Sequence, residues 1–150
     1  MGADIRLAGA DDVGALLDMG AAMREESALF KQRDFLPSKA AAVIAQLVAQ
    51  GGALVADLDG KIVGMLGFVV TSHLWGADLV ACDVGFYVAP AHRGGSIAPR
   101  LVRAYERAAR ARGAVEAGLA ESSGLDSART VRLIERMGYS VTSTGATKRL

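Results

Sequence analysis

The sequence predicts an α/β layer arrangement, a mixed central sheet with helices on both faces, in the order β-α-α-β-β-β-α-β-α-β-β. Three observations predict it. Strand-like and helix-like apolar periods alternate along the 150 residues. Three strand-like runs follow one another in the middle, which a purely doubly wound sheet would not show. After the third come a glycine-bearing basic turn and an amphipathic helix.

Each element has its own signal. Ile5 to Leu7 is a short apolar stretch broken by Gly9 to Asp12, a small strand and a loop. Asp11 or Asp12 can cap a helix carrying Val13, Leu16, Leu17, Gly20 and Met23 on one face, fraying near Glu26 and Ser27. Ser38 after Pro37 starts a second helix, with Val43, Ile44, Leu47 and Val48 inward and Gly51 as its stop. Ala53 to Asp57 and Lys61 to Thr71 read as strands joined by Leu58-Asp59-Gly60, which carries the Asp-Gly step of a tight hairpin. Leu79 to Val88 is apolar on both faces, as a central strand is, and Pro90 ends it. A helix over Ile97 to Arg112 turns Ile97, Leu101, Ala104, Tyr105 and Ala108 inward. A strand at Val115 to Ala120 and a helix at Ser127 to Met137 follow, and Tyr139 to Thr142 with Ala146 to Arg149 is expected as a terminal strand pair. No linker, repeat or low-complexity tract interrupts the chain, so one domain over residues 1–150 is expected.

Composition narrows the function classes. The 17 basic and 16 acidic residues leave a net charge of +1, no global attraction for nucleic acid or a membrane surface. The single cysteine, Cys82, excludes an intramolecular disulfide and fits a reducing compartment. The N-terminus lacks the apolar core of a signal peptide, and the longest apolar run, Ile62 to Val70, is about half of what spans a bilayer. A cytoplasmic protein is expected.

The chemistry concentrates between Val84 and Leu101. There a strand, Val84-Gly85-Phe86-Tyr87-Val88, passes through Ala89-Pro90-Ala91-His92 into Arg93-Gly94-Gly95-Ser96-Ile97-Ala98 and a helix. Small residues let the backbone approach an anion, and the first amides of the helix point outward at the positive end of its dipole. Together they suit a pyrophosphate. The same pattern also fits an ordinary strand–turn–helix corner. Neither G-x-x-x-x-G-K-[ST] nor, between first strand and helix, G-x-G-x-x-G is present, which removes two rival phosphate-binding classes.

This segment resembles the GNAT superfamily of acetyl-coenzyme-A-dependent acyltransferases, in which a strand ending V-x-P precedes R-x-x-G-x-G/A and a helix with a Leu pair. Val88-Ala89-Pro90, Arg93 to Ala98 and Leu101-Val102 carry the likeness, with Ser96 where Gly is usual. The Arg-Gly-Gly-Ser form looks like that of small phage-encoded members. Ile62-Val63-Gly64 and Arg136-Met137-Gly138-Tyr139 are similar to two further family segments, so the resemblance covers the whole chain. It implies a GNAT-like sheet, acetyl-CoA as cofactor, pantetheine contacts from Phe86, Tyr87 and Val88, and pyrophosphate contacts from the amides of Arg93, Gly94, Gly95, Ser96, Ile97 and Ala98. It places the thioester where the strand containing Asp83 splays from the strand ending near Glu121.

Acyl transfer to an amine needs a base for the ammonium, polarisation of the thioester and a proton for the thiolate. The resemblance puts the usual acid, a Tyr, at the position held here by Ile134. Of the three tyrosines, Tyr105 and Tyr139 read as core and Tyr87 lies nearest the expected cleft. Asp83 interrupts an apolar strand and shares a face with Gly85 and Tyr87 by the period of two, so it is either paired or useful. Glu26 ends the first helix where this fold lines its acceptor site, or belongs to a solvated turn. Glu121 with Ser122 and Ser123 could bind the acceptor or form loop. His92 is expected at the rim of the phosphate turn and His73 with Trp75 in an exposed connection. No His/Cys cluster suggests a metal. Asp83, Glu26 and Tyr87 are the candidate catalytic residues. An amine N-acetyltransferase is expected, with a catalytically silent acyl-coenzyme-A-binding module as the alternative. The acceptor stays open, an amine on a modified nucleobase included, and a homodimer is compatible with the sequence.

Overall fold

The computed structural model describes residues 2–150. Five strands, β1 (Asp4–Leu7), β2 (Ala53–Leu58), β3 (Lys61–Ser72), β4 (Leu79–Val88) and β5 (Ala114–Gly118), lie in one sheet in that order. The first four pair antiparallel because short turns join β2 to β3 and β3 to β4; β5 returns parallel to β4 through a helical crossover. The β2–β3 turn is the expected Asp59-Gly60 step, both residues with positive φ, 52° and 86°.

Helices cover both faces. On one face α1 (Val13–Glu26) and α3 (Pro37–Ala49) pack through Leu16, Ile44 and Val48 against Ala53, Val55 and Met65, with the short α2 (Ala28–Lys31) between them. On the other, α4 (Ile97–Ala111) buries Leu101, Val102, Ala104, Tyr105 and Ala109 against Leu54, Val63, Leu66 and Phe68. Tyr105 is the centre of that core: its ring meets Phe68 at 5.2 Å, and its hydroxyl donates to the Gly118 carbonyl at 2.9 Å. The aromatic pair adds about 0.5–1.5 kcal/mol to its burial. α5 (Ser127–Arg136) follows β5 and buries Ile134. No helix among the described residues is long and apolar enough to cross a membrane.

Three sequence expectations change. Residues 139–150 form no strand, so the terminal pair is absent; polar Ser and Thr dominate Ser140 to Thr147, and Val141 is left 65% exposed. A strand there would have no apolar face to bury. α3 holds no fully buried residue, and Val43, expected inward, is 49% exposed. β4, expected as a central strand, lies next to the edge of the sheet, flanked by β5 only up to Cys82, and is not covered on both faces: Val84 is 53% exposed.

The third change has the largest consequence for the site. Gly67 stands opposite Gly85 and the next residue, Phe68, stands opposite Asp83, so Val84 is an extra residue in β4, a bulge. The period of two is broken there. Asp83 takes the α4 face with Phe68, while Tyr87, opposite Met65, lies on the α1 face. The expected shared face of Asp83, Gly85 and Tyr87 is therefore corrected: Gly85 and Tyr87 share one, and Asp83 does not.

Candidate active site

β5 pairs with β4 only from Leu79 to Cys82. Beyond Cys82 their pairing ends, and among the described residues the β5 side of β4 from Asp83 to Val88 has no strand partner. Asp83 marks the apex of the gap, where its Oδ1 accepts the Ala120 amide at 2.9 Å. Burial pushes its carboxyl above the usual carboxylate range, and hydrogen bonds from the Ala120 amide and its own oppose that only in part.

At the other end of β4 the chain turns through Pro90–His92 into the Arg93 to Ser96 stretch. Gly94 has φ of 84°, the left-handed region that favours glycine. Ser96 caps α4 without a side-chain hydrogen bond. Among the described residues the amides of Gly94, Gly95, Ser96, Ile97 and Ala98 donate to no protein acceptor, whereas that of Arg100 reaches Ser96 at 3.1 Å. A Cβ on Gly95 would meet nothing within 4 Å, so the cradle is open to an incoming group. Free amides at the start of a 15-residue helix fit a pyrophosphate.

The side chain of Arg93 does not point into that cradle. Its Nε donates to the Val88 carbonyl at 2.8 Å, and its two terminal nitrogens each donate to Glu26 at 2.9 Å. The guanidinium lies 5.2 Å from the Tyr87 ring centre, and the Tyr87 hydroxyl donates to Glu26 as well. The Arg93 hydrogen bonds hold the Glu26 carboxyl below its usual range despite partial burial. Burial first, and then the bond to Glu26, push the Tyr87 hydroxyl up to about 12. So Glu26, Tyr87 and Arg93 come together, tying the end of α1 to the turn that precedes α4. This ion pair has no local sequence signal, because Glu26 and Arg93 stand 67 residues apart.

The other candidates stand apart. Glu121 organises its own loop, accepting from the Ser123 amide at 2.9 Å, the Ser123 hydroxyl at 2.6 Å and the Ser127 hydroxyl at 2.5 Å. Burial disfavours its charge, but those bonds outweigh it and keep its carboxyl low. Ser27, fully buried, donates to the Ser123 carbonyl at 2.6 Å and so fastens this loop to the end of α1. Ile134 is 8% exposed in the core. His92 ends the turn before Arg93, and His73 accepts from the amide of Trp75, itself 84% exposed.

Residues 21–139 match the Acetyltransferase (GNAT) family. The chain belongs to that family. Acetyl-CoA is the cosubstrate that comes with it, and the divergence of β4 from β5, leading to the open α4 amides, fits that molecule. Solved GNAT-like structures agree in fold. A ribosomal-protein-alanine N-acetyltransferase from Brucella melitensis biovar Abortus 2308 is 20% identical over 98% of this chain and 99% of its own, with a TM-score of 0.73. A transcriptional regulator from Bacillus halodurans C-125 is 23% identical over 99% of both chains, with a TM-score of 0.78. AAC(6')-Iy, in complex with the bisubstrate analogue CoA-S-monomethyl-acetylneamine, is 17% identical over 100% of this chain and 99% of its own, with a TM-score of 0.78. At such identities the likeness is one of fold. No curated protein is recognisably similar in sequence.

Proposed function

We propose that this GNAT domain transfers the acetyl group of acetyl-CoA to a primary amine. The observation that carries it is the β4 edge that β5 leaves free beyond Cys82, running from Asp83 at the apex to the free amides of Gly94 to Ala98. The pantetheine arm lies along Phe86, Tyr87 and Val88, and the pyrophosphate rests on the Arg93 to Ala98 turn. The amine nitrogen attacks the thioester carbonyl, the C–S bond breaks, the nitrogen loses a proton and the thiolate takes one.

Asp83 is the better base of the two carboxylates. Burial raises its proton affinity, whereas Glu26 is held ionised by Arg93. From the apex of the gap it reaches the amine through a water. Glu26 is a positioning residue that keeps Arg93 and Tyr87 in place. Tyr87, with its hydroxyl near 12, is a weak acid, and the thiolate, with a thiol pKa near 8.5, leaves with little help. The test is thiol release from acetyl-CoA with a panel of amines. Turnover with at least one amine is expected. A protein whose melt shifts with acetyl-CoA but which releases no thiol with any amine would be a silent acyl-coenzyme-A-binding module, the reading that buried Ile134 keeps open.

A further inference from the structure

Between α1, α3 and the sheet lies a cavity of about 450 Å³, the size of a small-molecule site. Glycines open it. Gly67 and Gly85 face each other across β3 and β4, and Gly20 stands on α1; a Cβ on Gly20 or Gly85 would meet nothing within 4 Å. The cavity ends at Val84 and Gly85, the bulge beside the gap between β4 and β5. Met23 lines it, and Glu26 follows one helical turn later.

Its chemistry is apolar. Among the described residues its wall carries two charged side chains, Asp34 and Lys39, one of each sign. Beyond the wall, Glu26 is already neutralised by Arg93. At the mouth Leu36, Val43 and Val84 remain 54%, 49% and 53% exposed. A polycation would meet a single wall carboxylate, Asp34, on the same wall as the cation of Lys39, and would leave those apolar side chains wet; an apolar body would cover them.

We propose that the acceptor is an amphipathic small amine, its aliphatic or aromatic body in this cavity and its amino group directed at the β4 bulge. The inference rests on the acetyl transfer proposed above. Burying a ring of phenyl size is worth roughly tenfold to a hundredfold in kcat/KM.

The experiment measures thiol release from acetyl-CoA by the full chain with 2-phenylethylamine, ethylamine, spermidine and an aminoglycoside. The expected result is a kcat/KM for 2-phenylethylamine about tenfold or more above the other three. Gly20→Leu fills the cavity and brings the ratio of 2-phenylethylamine to ethylamine close to one, while acetyl-CoA still shifts the melt. Val43→Asp lowers the rate with 2-phenylethylamine and raises it with spermidine. A preference for spermidine or the aminoglycoside in the parent overturns the proposal, as does a preference that neither variant alters. If Gly20→Leu instead impairs hexanoyl-CoA relative to acetyl-CoA and leaves amine preference intact, the cavity holds an acyl chain and the proposal is wrong. Absence of turnover with every amine removes the acetyl-transfer reading itself, a different failure from a wrong amine class.

Discussion

Gly95→Val separates cofactor binding from folding. A Cβ at this position meets nothing within 4 Å, and its φ lies outside the left-handed region, so the ligand-free protein should melt as the parent does. The β-branched side chain would instead stand where the backbone must approach the pyrophosphate. Losing two charge-assisted hydrogen bonds, at about 1.5–3 kcal/mol each, weakens Kd by at least about a hundredfold. With acetyl-CoA at a hundred times the parent's Kd, linkage stabilises the parent by about 2.7 kcal/mol, which is about 5–10 °C in a chain of this size. The same concentration would equal or fall below the variant's Kd and give no more than about 0.4 kcal/mol, a shift of about 1 °C. Gly94→Val is the contrasting control: with φ of 84° and Arg129 Nη2 at 2.9 Å from its Cβ position, it should lower the ligand-free melt as well. Differential scanning fluorimetry with and without acetyl-CoA reads both. A Gly95→Val protein that keeps the parent's full shift would refute the placement of the phosphate on this turn.

Two further outcomes follow from the titrating groups. Asp83→Asn should lower kcat/KM by about a hundredfold or more if Asp83 is the base, without lowering the melting temperature. Asn Oδ1 still accepts the Ala120 amide, and the cost of a buried charge is gone. Because the folded-state pKa of Asp83 is raised, its ionised form destabilises the parent, so the advantage of Asn appears only as pH rises above the ordinary aspartate value; unchanged kinetics would dismiss Asp83 as the base. Glu26→Gln should lower the Tyr87 hydroxyl from about 12 in an ultraviolet titration, with burial still holding it above the free tyrosine value, and cost at most about 1 kcal/mol of stability, since the pair is about 30% exposed. The Glu26 pKa is depressed on folding, so that stability is present above its unfolded value and is lost as pH falls through the folded one; a variant gap unchanged down to strongly acid pH would contradict the ion pair.

The parts of the fold that were legible in the sequence are those where one local signal suffices. The Asp59-Gly60 turn needs positive φ, and the α4 stripe needs a 3.6-residue period; both were written in neighbouring residues. The terminal strands were not, because Val141 and Tyr139 imitate the end of an alternating pattern that Ser140 to Thr147 cannot continue. The pairing of Glu26 with Arg93 joins residues 67 apart in sequence, and no period or spacing encodes such a contact. Ser27 is similar: a serine at a fraying helix end reads as exposed, yet it is fully buried, its hydroxyl donating a hydrogen bond to a carbonyl 96 residues away.

Val84 shows how one residue decides the geometry of the site. Alternation placed Asp83 with Tyr87; the bulge moves Asp83 to the opposite face. The signal was present in Gly67 and Gly85, since glycine inside a strand often marks a bulge or a close approach. Here those glycines accompany both. The extra residue lies just beyond the last pairing with β5, where the edge proposed for acetyl-CoA begins, and Gly85, whose Cβ would meet nothing within 4 Å, borders the cavity beneath it. The site is thus divided by the sheet, with a carboxylate of raised proton affinity on the α4 face and an apolar cavity on the α1 face. The two meet at the bulge, where an amine held by its apolar body would face the thioester.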